Sequence, residues 1–350
     1  MSAEQLVRGS RASLDLRVVW SVQALVAEVL EEMLGGEHAA EPARRRREES
    51  STDAGTPETI ALDFSTVVER IAYGAPSGFE WSFYQGRIVA YAGPTEFSFQ
   101  DDASDVRVPL DGGTIVGRLH PSSLEDRSSL RLLLDLALAM ALRARRIFHL
   151  HAAGVVREGT CILLPGESGA GKTSSALALV EAGWSYLSDD SVFLRARGEE
   201  LASVVAQRRE FHLTPTTLAA YPALAALAAK MDEPAKMRVA PERAFPGRFC
   251  EVAPPPTLLL FPTVVAGAVS LAEPITDAIA FGNLLMASTM LSVPGTPHTK
   301  AHLALLKNIV ESAACFELRL GADFLRSPAP AVEAAVEPLV ARAARGGQFA

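Results

Sequence analysis

The stretch that most constrains this chain runs Leu163-Leu164-Pro165-Gly166-Glu167-Ser168-Gly169-Ala170-Gly171-Lys172-Thr173. Glycine, four residues, glycine, lysine and a hydroxyl residue form the pattern of a loop that wraps a phosphate. Each residue type has a reason. Glycines let the backbone curl so that successive N–H groups converge on an anion, with no Cβ in the way. A helix starting at about Lys172 adds unsatisfied N–H groups and the positive end of its dipole. The lysine reaches the outer phosphates as a point charge, and the Thr173 hydroxyl can ligate Mg²⁺.

The flanks supply the setting this motif needs. Thr160 to Leu164 reads as a short buried strand, and Lys172 to Ala182 as a helix closed by Gly183 at its C′ position. Upstream, Phe148-His149-Leu150-His151-Ala152-Ala153-Gly154-Val155-Val156 and the turn Arg157-Glu158-Gly159 predict a hairpin that feeds the loop. Downstream, Trp184 to Leu194 is strand-like except for Asp189-Asp190, which follow Lys172 by 17 and 18 residues. If their strand lies beside the loop's strand, the two acids return to the loop's edge of the sheet. Such acids serve as a metal ligand or as a base that orients a nucleophile; the bland alternative is an Asp-Asp turn. His151 can hold an acceptor or tune the base, or be a structural histidine. Lys236-Met237-Arg238 can clamp phosphates or be plain surface. His298 and His302 have the spacing of two ligands on one helical turn, but no acid accompanies them, which favours surface or capping roles.

The whole chain narrows the function class. With 350 residues, 49% of them hydrophobic, it can bury a full core and form more than one structured unit. A formal charge of −8 and scattered basic residues argue against nucleic acid as a partner. The phosphates are expected on a nucleotide instead. Three widely spaced cysteines, without a CxxC, indicate neither a disulfide framework nor a zinc cluster, and fit a reducing cytoplasm. No apolar run reaches the length of a membrane span, and Glu4 and Arg8 precede no apolar stretch, so neither a membrane partner nor a leader is expected.

The expected organisation is an N-terminal amphipathic helix within 1–36, a disordered linker over 37–58, a small β-rich module over 59–121, a bridging helix over 122–146, a catalytic domain over 147–330 and a C-terminal tail over 331–350. The first helix rests on apolar residues at helical spacing over 15–34, packed on its own domain or used for docking. Arg44 to Arg47 fall in the linker and read as solvated.

His151, the Gly-x-Ser-Gly-x-Gly-Lys run from Gly166 to Lys172, and Asp189-Asp190 together resemble the catalytic domain of HPr kinase/phosphorylase and its HPr-kinase-related relatives. The likeness is best over residues 147 to 195 and looser to about 325. It implies an α/β fold with a partly antiparallel phosphate-loop core of the HPr kinase/PEP carboxykinase type. It further implies Asp189 as base toward an acceptor hydroxyl, Asp190 as a Mg²⁺ ligand, and His151 as an active-site neighbour. The chain departs from the family at Ser174, where relatives have an acid. It also lacks a later Glu-x-Arg-Gly-x-Gly signature, for which Glu210 is the nearest substitute.

The expectation is therefore an ATP- and Mg²⁺-dependent kinase acting on a hydroxyl of a protein, peptide or small molecule. Residues Gly166 to Ser174 would bind the nucleotide, Lys172 holding the outer phosphates. Thr173 and Asp190 would hold the metal, with Asp189 and His151 in catalysis. The alternative is a nucleotide-binding regulatory module, or an ATPase without an acceptor. A homo-oligomer is left open by the relatives that assemble.

Overall fold

A computed structural model describes residues 6–13, 16–33, 58–71, 73–207, 210–230, 237–288 and 297–344. The chain is a mixed α/β protein of two units, Met1–Arg145 with Ser292–His298, and Arg146–Leu291 with Thr299–Ala350. No described helix is long and apolar enough to cross a membrane.

The first unit runs β1 (Leu6–Ser13), β2 (Leu16–Gln23), α1 (Ala24–Met33), β3 (Glu58–Thr66), β4 (Glu80–Gln85), β5 (Ile88–Ala92), β6 (Glu96–Gln100), β7 (Asp105–Pro109), β8 (Ile115–Leu119), α2 (Pro121–Glu125) and α3 (Arg127–Ala144). Its eight strands form one sheet in the order β1-β2-β3-β8-β7-β6-β5-β4. The helix expected over 15–34 is a strand for its first half. Val18, Trp20 and Val22 are buried while Val19 and Ser21 are only half-buried, a period of two carried by β-branched and aromatic side chains. The module expected at 59–121 thus gains two strands from the N-terminal stretch. The linker expected at 37–58 lies almost wholly outside the described residues, and its last residue, Glu58, begins β3.

The helix expected over 122–146 is two helices joined at Asp126. That carboxylate accepts from the Ser128 hydroxyl at 2.7 Å and from the Ser129 hydroxyl and N–H at 2.8 and 3.2 Å. These bonds hold its carboxyl down at about 2 and cap α3. Rather than standing apart as a bridge, α3 buries Leu130, Leu133, Leu134 and Ala137 and packs on α1, β5, β6 and β7.

The second unit contains β9 (Ile147–Leu150), β10 (Ala152–Arg157), β11 (Thr160–Pro165), α4 (Lys172–Glu181), β12 (Ser185–Ser188), β13 (Val192–Arg197), β14 (Glu200–Ala206) and β15 (Phe211–Leu213). The short elements α5 (Pro215–Ala220), α6 (Pro222–Ala225), β16 (Ala229–Lys230), β17 (Met237–Val239), α7 (Pro241–Ala244) and β18 (Val252–Ala253) follow. Then come β19 (Leu258–Val264), β20 (Leu271–Pro274), α8 (Asp277–Met286), α9 (Pro297–Ser312, all but its first two residues in this unit), β21 (Ala314–Leu320), α10 (Ala322–Arg326) and α11 (Pro328–Ala344). A six-stranded sheet, β12-β10-β11-β19-β21-β20, forms the centre, and a four-stranded sheet, β18-β14-β13-β9, lies beside it. Alternation along β11 builds two cores. Ile162 and Leu164 join Leu177, Val180, Val332 and Val336 of α4 and α11, while Cys161 and Leu163 join Leu284, Leu305 and Ile309 of α8 and α9. The stretch from 331, expected as a tail, is therefore mostly core helix: Val332, Val336 and Val340 recur every four residues and are buried.

All three cysteines are free. Burial pushes the Cys161 and Cys315 thiols up to about 12 from 9.0. A raised folded-state value means that the stability tied to the neutral thiols is intact below the unfolded value. That stability is lost as pH rises from about 9 toward 12. We expect neither thiol to react with a disulfide reagent in the native protein at pH 8, and both to react in denaturant. Rapid modification of Cys161 in the native state would contradict this burial.

Candidate phosphate-site loop and acidic edge

Two chain crossings between the sheets build the site. β9 pairs with β13 in the four-stranded sheet, and β10 pairs with β12 in the six-stranded one. The chain changes sheet at His151 on the way out and at Asp189-Asp190-Ser191 on the way back, so these irregular residues fall opposite one another. β12 and β11 both run antiparallel to β10, so their C-terminal ends share one edge. The glycine-rich loop leaves β11 at that edge. The acid strand is not a direct neighbour of the loop strand; β10, with His151 at its head, lies between them, and the acids reach the loop's edge all the same.

The loop passes through Gly166 and Ala170, both half-buried, and through Glu167, Ser168 and Gly169, which are exposed. Gly171 is the N-cap of α4 at φ 102°, and no side chain caps this helix. Its first N–H groups are therefore left for a ligand or for water. A Cβ at Gly171 would also lie 2.6 Å from Leu320 Cδ1, whereas at Gly169 (φ 86°) it would meet nothing within 4 Å. Both positions favour glycine for their backbone, but only Gly171 also needs the space. We expect Gly171→Ala to destabilise the protein by about 2–4 kcal/mol and Gly169→Ala by about 1–2 kcal/mol, measured by urea unfolding. Equal losses would mean that Leu320 gives way without cost.

Lys172 is buried, 5% exposed. Its ammonium donates to the carbonyls of Gly166 and Glu167, both at 2.8 Å, and lies 2.9 Å from His151 Nε2. An ammonium has no lone pair, so Nε2 accepts and the ring proton sits on Nδ1. That atom faces Asp190 Oδ1 at 3.4 Å. Lysine, histidine and aspartate thus form a line along the edge of the sheet.

The two aspartates differ sharply. Asp190 is half-buried and turned toward His151, whereas Asp189 is fully buried and its Oδ2 accepts from the His212 N–H at 2.8 Å. The Thr173 hydroxyl donates to the Asp189 carbonyl at 3.4 Å, which places it beside the acidic turn. Ser174 points elsewhere; its hydroxyl lies 3.2 Å from Thr217 Oγ1 in α5. Arg238 is in register with His212 across β15 and β17, and its guanidinium lies 3.9 Å from Glu210. Lys236 falls outside the described residues. His302 is buried and stacked on Phe148 with ring centroids 4.5 Å apart, a core residue rather than half of a ligand pair with His298.

Sequence reasoning missed the partners that fix this edge. Ser191 donates to the Gln207 side-chain oxygen and meets His149 Nε2, and the Ser188 hydroxyl donates to the Ser191 carbonyl at 2.6 Å. The His212 bond to Asp189 comes from backbone, which no residue type announces. Among the described residues, no cluster of three or more His, Cys, Asp or Glu side chains could hold a metal alone.

Neither a protein-family model nor a curated protein sequence matches the chain. Among solved structures, the Hpr(Ser) kinase/phosphatase from Coxiella burnetii is similar over 55% of this chain and 91% of that one, with a TM-score of 0.31 and 12% identity. It bears the name of the family that the motifs resemble, but a TM-score that low does not establish a shared fold.

Proposed function

We propose that the second unit is an ATP- and Mg²⁺-dependent kinase with a phosphate-loop core, transferring the γ-phosphoryl group to a hydroxyl. The observation that carries this reading is the buried Lys172 ammonium, held by two carbonyls of the glycine-rich loop and in line with His151 and Asp190. A buried cation at an uncapped helix N-terminus suits an anion. Acids at the same edge are what phosphoryl transfer needs beyond mere binding.

The residues fit both groups. Main-chain N–H groups of residues 167 to 173, with Lys172, would hold the β- and γ-phosphates. The hydroxyl of Thr173 and the carboxylate of Asp190 are hard oxygen donors of the kind Mg²⁺ takes alongside phosphate oxygens and water. When bound, the metal would neutralise charge developing on the phosphates. Asp189 would accept the proton of the acceptor hydroxyl as the phosphoryl moves in line, and His151 would keep Asp190 and Lys172 in register. Charge stabilisation and positioning would provide most of the rate.

One observation favours a second reading, an ATP-binding module or ATPase without transfer. Asp189 is fully buried and its Oδ2 already accepts from His212. Incubation with Mg²⁺ and γ-labelled ATP, alone and with a cell lysate, decides between them. Label on a protein, peptide or metabolite supports the kinase; label only in free phosphate, or nowhere while ATP still binds, supports the second reading.

A further inference from the structure

We infer that the loop from Thr263 to Ser270 is a docking shelf for the base of a nucleoside triphosphate, which it would read by face rather than by edge; this rests on the phosphate reading of the glycine-rich loop. The first observation is composition. The loop reads Thr-Val-Val-Ala-Gly-Ala-Val-Ser and carries no charge, yet six of its eight residues are exposed, with Val264 at 57% and Val269 at 64%. Surface loops are ordinarily polar, and contiguous exposed apolar residues mark a contact site.

The second observation is place. Val264 ends β19, the strand parallel to β11 on the side away from the acids, and its Cγ2 lies 3.9 Å from where a Cβ of Gly171 would be. The glycine-rich loop therefore has two unlike flanks. Toward β10 and β12 stand His151 and Asp190; toward β19 and β21 stand the aliphatic side chains of Val264 and Leu320, with the exposed Arg319–Glu273 ion pair one residue along, opposite Thr263. A triphosphate lying in the loop has one reactive end, and that end belongs with the acids. Its sugar and base then leave on the opposite flank, across Val264. The flat face of a base suits such a surface.

The third observation is rigidity, which also bears on specificity. Val265 N–H donates to the Leu320 carbonyl at 3.0 Å, and the carbonyls of Gly267 and Ala268 accept from Ala322 and Asp323 N–H at 2.8 and 3.2 Å. The Asp323 carboxylate takes both the N–H and the hydroxyl of Ser270, at 2.9 and 2.7 Å. The shelf is preorganised, so little ordering cost falls on binding. Four of the loop's main-chain groups are thus already paired within the fold, and its side chains are aliphatic apart from Thr263 and Ser270, so contact with a base would run through its face and discrimination among bases would be weak.

The test is calorimetry of the full chain with MgATP, MgGTP and magnesium tripolyphosphate, using wild type, Val264→Ser and Val269→Ser. Wild type should bind MgATP about tenfold tighter than tripolyphosphate, with MgGTP within about tenfold of MgATP. Val264→Ser should lose most of the MgATP advantage and leave tripolyphosphate within about twofold. Val269→Ser should act in the same sense, and both variants should keep the wild-type melting temperature. If neither valine change affects MgATP, or both ligands weaken equally, the shelf is wrong while the phosphate reading stands. A preference for MgATP over MgGTP above about a hundredfold overturns reading by face. A wild type that binds no ligand of the three brings down the phosphate reading, and the shelf with it.

Discussion

Replacing Lys172 with methionine is expected to weaken MgATP binding by about a hundredfold or more, while the protein still folds. Methionine approximates the length and packing of the buried stem, so the change isolates the charge. What is lost is an ammonium that donates to Gly166 and Glu167 at 2.8 Å and lies against His151 at 2.9 Å. These bonds hold the loop closed on its own cation. A bound phosphate would replace carbonyl partners with fully charged oxygens, so that each bond joins two opposite charges instead of a charge and a dipole. Arginine is not a conservative control here, because its planar fork does not fit a space shaped for a point donor. The measurement is calorimetry beside a thermal melt. A methionine variant that binds MgATP within threefold of wild type would remove the main support for the phosphate reading.

What the sequence made legible follows from the range of the forces involved. The strand, glycine turn and helix from Thr160 to Glu181 were readable because local chemistry dictates them: a buried run, positive-φ glycines, and a helix closed by Gly183 at φ 105°. The break at Asp189-Asp190 was readable too, since two acids interrupt an apolar run. The failures have a common cause, which is tertiary context deciding between two periods. Residues 16–23 satisfy helical spacing and strand alternation at once, and pairing with β1 and β3 settles the matter. The run from Phe148 to Val156 reads as one strand, yet it breaks at His151, whose N–H donates to the Ala287 carbonyl at 2.8 Å, 136 residues downstream.

The candidate site was legible in its residue types and not in its arrangement. Lys172, His151 and Asp190 were nominated separately, and their meeting in one line depends on β10 lying between β11 and β12. Spacing alone left the strand order open. The partner of Asp189 was invisible for another reason. His212 contributes its main chain, and it is brought to the acid by pairing of β15 with β17 rather than by any local signal.

That bond makes the aspartate pair separable by mutation. Asparagine at 189 keeps an oxygen to accept from the His212 N–H at 2.8 Å but removes the charge and the basicity. Asp189→Asn is therefore expected to retain the fold and MgATP binding while lowering phosphoryl transfer by about 10²–10⁴-fold, the usual range for a general base. Asp189→Ala loses the acceptor as well and leaves a buried N–H unsatisfied, which adds a stability loss of about 1–3 kcal/mol. Asp190→Asn should show the opposite division, since this half-buried acid faces His151 and is proposed as a metal ligand. Its MgATP affinity should fall about tenfold and its dependence on Mg²⁺ concentration should shift upward, with the melting temperature nearly unchanged. Single-turnover transfer and a Mg²⁺ titration on the three variants read these effects independently. Full transfer by Asp189→Asn, with destabilisation confined to the alanine variant, would make Asp189 a structural anchor of β15. Transfer would then run without a base at 189, and of the two aspartates Asp190 would be the one left to assist it at the edge it shares with Lys172.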